Sequence, residues 1–202
     1  MRGGRQRSRG PSIVKNTPAV FLDRDGTLLE DVGYLDRLER LALFPWSIDA
    51  VRLLNRAGFR VVIVTNQAGV ARGIIQESFV QEAHRFIGQK MAAGAARVDA
   101  YYYCPHLADA PLEAYRKSCD CRKPGPGMLQ QAARDLGIDL ASSFAVGDRW
   151  HEVQAGYAAG SRGILVRTGY GRTEEGRPRK DVHPAAVADN LIEAVSWILR
   201  NA

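Results

Sequence analysis

The sequence predicts an α/β fold: a doubly wound parallel sheet, Rossmann-like, with helices on both faces. Three observations predict it. Short apolar or β-branched runs alternate with segments of helical period along most of the chain. Glycines stand where helical segments stop, at Gly58, Gly137 and Gly160. Three of the apolar runs end in a polar residue, Asp23, Thr65 and Asp148. In open parallel sheets ligands bind beyond the carboxyl ends of the strands, so the third observation also locates a site.

The elements follow in order. Residues 1–18, with Arg2, Arg5, Arg7 and Arg9 among glycine and serine, read as a disordered basic arm, and 19–202 as a single domain. Ala19 to Asp23 is a buried strand. Trp46 to Ala57 has amphipathic spacing and is closed by Gly58. Arg60 to Thr65 is β-branched and forms a second buried strand. Gln76 to Ala93 keeps helical spacing without proline. Asp99 to Tyr103 is the third strand, Pro126 to Leu136 a helix stopped by Gly137, and Phe144 to Gly147 the fourth strand. Glu152 to Ala159 is a helix, Gly163 to Arg167 a fifth strand, and Ala185 to Arg200 a closing helix. Gly169 to Asp181, rich in Gly, Arg and Glu, reads as a mobile loop. The sequence shows neither an internal repeat nor a second domain.

Composition narrows the function classes. Of the net charge of +6 over 202 residues, Arg2, Arg5, Arg7 and Arg9 supply four, so the body neither requires nor excludes nucleic acid. No apolar run approaches the roughly 18–20 residues that span a bilayer. The early arginines lack the apolar stretch of a secretory signal, which predicts a cytoplasmic protein without a membrane partner. Three cysteines cannot all pair within one chain.

The chemistry begins at Asp23-Arg24-Asp25-Gly26-Thr27, directly after the first strand. Alternating side chains put Asp23 and Asp25 on one face if the extended geometry lasts that far. One carboxylate can attack phosphorus, the other can carry a proton, and both can hold a hard cation. Alone, Asp-x-Asp-Gly is an ordinary solvated turn. It is not alone: Val62-Ile63-Val64-Thr65-Asn66-Gln67, Cys121-Arg122-Lys123-Pro124 and Val146-Gly147-Asp148-Arg149 follow, each at the end of an apolar run or the start of a helix.

Those four segments, in that order, resemble the four motifs of the haloacid dehalogenase-type phosphohydrolases. The resemblance runs from about Ala19 to about Gly171. Within that superfamily, the stretch from Thr65 to Gly73 and the Cys/His segment resemble the D-glycero-D-manno-heptose 1,7-bisphosphate 7-phosphatases. The resemblance implies that Asp23 attacks and becomes an aspartyl phosphate, and that Asp25 protonates the leaving alkoxide and then activates water. It implies Mg²⁺ held by Asp23, the backbone carbonyl of Asp25, and Asp148, with Thr65 and Lys123 on the phosphoryl oxygens. Many superfamily members carry a second Asp four residues after the first of the fourth motif. Here Glu152 stands there, one helical turn on, which suits contact through metal-bound water better than direct ligation.

Cys104, His106, Cys119 and Cys121 use every cysteine in the chain and have the short spacings of a closed structural zinc site. A disulfide is the rival reading, and it leaves one cysteine over. Zinc would order a polar loop just before Arg122 and Lys123.

No large cap domain fits between the motifs. Val32 to Phe44 and the zinc-stapled loop are the insertions able to cover the site. The resemblance places Arg24, Asp31, Gly33, Tyr34, Asn66, Gln67, Arg72, Arg122 and Arg149 at the substrate. The predicted partner is a small phosphorylated sugar, handled by a monomer. The alternatives are a histidinol-phosphate phosphatase, a polynucleotide 3′-phosphatase, and a zinc-stapled nucleic-acid-binding module.

Overall fold

The computed structural model describes residues 16–177 and 179–202. Six strands form one parallel sheet: β1 (Ala19–Leu22), β2 (Arg60–Asn66), β3 (Ala100–Cys104), β4 (Phe144–Gly147), β5 (Arg162–Val166) and β6 (Ala186–Ala188), in the order β3-β2-β1-β4-β5-β6. The helices are α1 (Ser47–Arg56), α2 (Ala68–Ala71), α3 (Glu77–Ala93), α4 (Gly127–Leu136), α5 (Trp150–Ala159), α6 (Gly171–Glu175) and α7 (Leu191–Asn201). No helix among the described residues is long and apolar enough to cross a membrane.

Strand alternation builds the layers. Val20 and Leu22 of β1 face a core shared with Ile63, Val146, Ile164 and the apolar faces of α1, α3 and α7. Ala19 and Phe21 face the opposite core, with Val62, Val64, Met128 and Leu129. Each fully buried large side chain contributes about 1.5–3 kcal/mol, which is why β1, buried on both faces, is apolar at every position.

The sheet order fixes where chemistry can occur. After β1 the chain winds outward through β2 and β3, then returns to β4 on the other side of β1. The reversal opens a crevice between the carboxyl ends of β1 and β4. Asp23 follows β1, its N–H still donating to the Val146 carbonyl at 2.9 Å, and Asp148 follows β4.

Three sequence expectations change. The chain from 185 to 200 is not one helix: Ala186–Ala188 pair with Ile164–Val166 as β6, and Asn190 then caps α7 by accepting from the Glu193 N–H at 3.1 Å. The segment from Gly169 to Asp181, expected as a mobile loop, contains α6, held by Trp150. That residue's backbone N–H donates to a Glu174 carboxylate oxygen at 3.1 Å, and its indole N–H to the Glu174 carbonyl at 2.9 Å. Thr17 and Pro18, assigned to the basic arm, are tied to the fold: Thr17 exchanges backbone hydrogen bonds with Gly137 and Asp139, and Pro18 accepts from Arg60. The rest of the arm, 1–15, lies outside the described residues.

Candidate active site

The crevice is a polar cleft of about 300 Å³, lined by Asp23, Asp25, Asp31, Gly33, Thr65, Asn66, Ala68, Arg72, Arg122, Lys123, Arg149, His151 and Glu152. A larger cavity of about 590 Å³, lined by Pro124, Gln154, Tyr157, Ala158, Asp181, Val182 and His183, carries none of the motif carboxylates.

Lys123 organises the floor. Its side chain is 2% exposed, and Nζ donates to Asp23 Oδ1 at 2.5 Å and to the Val64 carbonyl at 2.9 Å, and pairs with Glu152 Oε1 at 2.9 Å. Asn66 positions it by a two-way amide clamp: the Asn66 side chain donates to the Lys123 carbonyl and accepts from the Lys123 N–H, each at 3.0 Å. The second motif thus builds the third. Glu152 has both carboxylate oxygens engaged, Oε1 on Lys123 and Oε2 accepting from the Arg149 N–H at 2.9 Å. It caps the helix that follows Asp148 while compensating the buried lysine. The extra methylene relative to Asp gives it reach for both.

Asp25 carries three donors. Arg24 Nε and Nη2 fork onto its carboxylate at 2.9–3.2 Å, and Gln67 Nε2 donates to Oδ2 at 3.0 Å. This corrects the expectation for Arg24. Its side chain is 2% exposed and does not line the cleft, because the turn after β1 aims it inward, where Asp25 neutralises it. Gln67 also lies behind the cleft wall. Its amide donates to Thr65 Oγ1 at 2.8 Å, which leaves the Thr65 hydroxyl hydrogen free to point at a ligand. Tyr34 likewise is not a lining residue. Its hydroxyl accepts from Arg72, whose guanidinium lies over the ring.

The rim is arginine. Arg122 donates to the His106 carbonyl at 3.2 Å, and Arg149 stacks 3.7 Å over the Tyr170 ring beside Asp31 at 3.9 Å. The insertion after the first motif is pinned by Arg40, which donates to the Val32 and Tyr34 carbonyls and so shapes the turn carrying Asp31 and Gly33. His151, from the first turn of α5, also lines the cleft.

Asp148, 1% exposed, sits beneath the cleft with Oδ2 accepting from the Tyr170 N–H at 2.8 Å. Burial pushes Asp23 up to about 7 against the pull of Lys123, with Glu152 and Asp25 adding to the rise. Burial, then the charges of Asp23 and Glu152, push Asp148 up to about 8. Carboxylates this crowded want a cation, and an all-oxygen donor set suits a hard one.

Cys104, His106, Cys119 and Cys121 converge, all four ligand atoms lying within 4.8 Å of one another. The closest sulfur pair is 3.0 Å apart, far longer than the roughly 2.05 Å of a disulfide. Burial pushes the Cys104 and Cys121 thiols up, with the neighbouring thiols adding to the rise at Cys121, an electrostatic cost that a divalent ion removes. The cluster can hold one such ion of the zinc type, its four donors making up a tetrahedral set.

Comparison with known proteins agrees with the motifs. The HAD-hydrolase-like family model matches residues 120–194. The D-glycero-beta-D-manno-heptose-1,7-bisphosphate 7-phosphatase of Photorhabdus laumondii subsp. laumondii is 43% identical over 159 residues, 78% of this chain and 84% of that protein. The enzyme of the same name from Escherichia coli K12 is 41% identical over 179 residues, 88% and 93% of the two chains. Among solved structures, D,D-heptose 1,7-bisphosphate phosphatase from B. bronchiseptica, complexed with magnesium and phosphate, superposes with a TM-score of 0.82 at 32% identity, covering 92% of this chain and 99% of that one. With a cleft built from all four motifs and relatives this similar along most of its length, the chain belongs to the D-glycero-beta-D-manno-heptose-1,7-bisphosphate 7-phosphatase family of haloacid dehalogenase-like hydrolases.

Proposed function

We propose that the protein is a Mg²⁺-dependent phosphomonoesterase that removes the 7-phosphate of D-glycero-β-D-manno-heptose 1,7-bisphosphate. One observation carries the reading: the cleft offers two stations for anions. The floor has Lys123 and Thr65 beside Asp23, and the rim has Arg72, Arg122 and Arg149. A monophosphate satisfies only the floor. A sugar bisphosphate satisfies both, and the β anomer is the one named for the relatives.

The residues then divide the work. An Asp23 carboxylate oxygen attacks phosphorus, forming the aspartyl phosphate as the P–O bond to the sugar breaks. Asp25 gives its proton to the departing alkoxide. Asp25 next takes a proton from the water that attacks the aspartyl phosphate, which releases inorganic phosphate and restores Asp23. Lys123 and the free Thr65 hydroxyl face the charge that grows on the phosphoryl oxygens. Asp23, the Asp25 carbonyl and Asp148 would hold Mg²⁺, which when bound offsets the charge of the dianionic phosphate. Arg24 and Gln67 hold the Asp25 carboxylate in place. Cys104, His106, Cys119 and Cys121 would hold a structural Zn²⁺. The reading is of a cytoplasmic monomer with neither nucleic acid nor membrane as partner.

The test is Mg²⁺-dependent phosphate release from both anomers of the heptose bisphosphate, histidinol phosphate and a 3′-phosphorylated oligonucleotide. The β bisphosphate is expected to exceed the two unrelated substrates in kcat/KM by at least about 100-fold and to leave the 1-phosphate intact. Faster release from histidinol phosphate or the oligonucleotide would replace the reading.

The raised carboxylates give a second expected result. Asp23 and Asp148 bind protons more tightly in the native chain than in the unfolded one, where their ordinary value is 3.8. Between about pH 4 and pH 8 the native state therefore holds more protons, and the cation-free protein loses stability from these groups as pH rises. Mg²⁺ replaces those protons. The rise in Tm caused by Mg²⁺ should be small near pH 5.5, grow toward about pH 8, and vanish in Asp148→Ala. A Mg²⁺ effect independent of pH across thermal scans would contradict the assignment.

A further inference from the structure

We infer that the Thr168-Gly169-Tyr170 turn is a positioning device for the Asp148 carboxylate, and through Tyr170 for Arg149 at the rim. The inference rests on reading Asp148 as a Mg²⁺ ligand.

The turn lies just past β5, outside the four motifs, and grips the site at three points. Thr168 Oγ1 donates to the Gly26 carbonyl at 2.6 Å, joining the turn to the first motif. The Tyr170 N–H donates to Asp148 Oδ2 at 2.8 Å. The Tyr170 ring, itself half-open to solvent, seats the Arg149 guanidinium at 3.7 Å. Gly169 is what lets the chain come so close. Its φ of +51 is in the left-handed region, and a Cβ there would collide with Asp148 Oδ2 and with the Gly26 Cα. A Cβ at Gly26, at φ +83, would collide with the same oxygen. Oδ2 is thus closely approached by two glycines and hydrogen-bonded by the Tyr170 N–H, which leaves Oδ1 as the oxygen with freedom to meet a ligand.

The physical consequence is preorganisation. A carboxylate free to spin must be ordered at the moment of binding, whereas one with a fixed oxygen presents the other in one direction. Trp150 supports the arrangement from below, because its two hydrogen bonds to Glu174 anchor α6, which begins immediately after Tyr170. The turn therefore does two separable things: its Thr168 hydroxyl and close backbone serve the cation site, and the Tyr170 ring serves an arginine of the substrate rim.

The experiment measures Mn²⁺ binding directly, by electron paramagnetic resonance on the zinc-loaded full chain, without substrate. Thr168→Val and Gly169→Ala are expected to weaken Mn²⁺ by about 10–100-fold, and Thr168→Ser, which keeps the hydroxyl, to stay within about threefold of wild type. Zinc content and unfolding temperature without Mn²⁺ should not follow that pattern, which separates positioning from a general loss of structure. Tyr170→Ala keeps the backbone donor, so its Mn²⁺ affinity should stay within about twofold while KM for the bisphosphate rises more than kcat falls. Asp148→Ala is the reference. If Asp148→Ala binds Mn²⁺ like wild type, the reading of Asp148 fails and the inference with it. If Asp148→Ala loses Mn²⁺ but Thr168→Val keeps it within about twofold, the inference is overturned and that reading stands. If Gly169→Ala does not fold, the Thr168→Val and Thr168→Ser pair decides. A Tyr170→Ala protein that loses Mn²⁺ as badly as Thr168→Val overturns the division of roles.

Discussion

Asp23→Asn is expected to abolish phosphate release while leaving the fold intact. The amide is nearly isosteric with the carboxylate but does not attack phosphorus. The loss should reach at least about a thousandfold, on the order of 4 kcal/mol of barrier, as for removal of other covalent nucleophiles. The fold should tolerate the change because Lys123 keeps Glu152 and the Val64 carbonyl as partners. The substitution also takes one charge out of a crowd that already pushes Asp23 upward. Phosphate release and a thermal scan on the same preparation decide the matter. A variant retaining more than roughly a tenth of wild-type turnover would remove the aspartyl phosphate from the mechanism.

Loss of the metal at the cysteine cluster is expected to act differently, through recognition and stability together. Wild-type protein should carry about one Zn²⁺ per chain. Cys119→Ser removes a ligand, and structural zinc sites of this kind supply a large part of local folding energy, so the fall should be several kcal/mol and many degrees in Tm. The loop then frees what leans on it. Arg122 loses the ordered His106 carbonyl it donates to, and the Leu112 N–H loses the Ala71 carbonyl next to Arg72. Two of the three rim arginines should shift, whereas Lys123 stays clamped by Asn66. The expected signature is a loss of about 10–100-fold in kcat/KM on the bisphosphate, against a loss under about threefold on p-nitrophenyl phosphate, which has no second anion. Zinc-free protein after expression with zinc supplied, or equal losses on both substrates, would contradict the assignment.

Most of this was legible in the sequence for identifiable reasons. β1, β2 and β4 are dense apolar or β-branched runs, so the residues at their ends, Asp23, Thr65 and Asp148, could be placed on one edge before any coordinates. The Cys/His spacing pointed to one cluster, and the four ligand atoms do converge. β6 was not legible. Its three residues are Ala-Val-Ala, neutral in propensity and continuous with a helical pattern, and only pairing with β5 makes them a strand. α6 was hidden for a similar reason, since Trp150 and Glu174, 24 residues apart, hold it. Arg24, which the resemblance placed at the substrate, turns inward onto Asp25. Its burial follows from the turn geometry, which no spacing rule supplies. Nor could spacing reveal that Asn66 holds the backbone of Lys123, 57 residues away.

The Asn66 clamp divides the molecule by origin as well as by role. The groups that the proposed mechanism uses at the phosphoryl centre and its cation are fastened to the sheet: Asp23 and Asp148 at strand ends, Thr65 within β2, and Lys123 through the amide of its strand neighbour. Asp31 and Gly33 ride on the Arg40-pinned insertion and Arg122 on the metal-clustered one, each closed on itself by its own fastening, whereas Arg72 and Arg149 follow α2 and β4. Those two insertions are therefore fastened separately from the strand ends. Variation in loops of this kind changes what surrounds a phosphate ester while strand-end residues keep their places, the general way in which one sheet comes to serve many substrates.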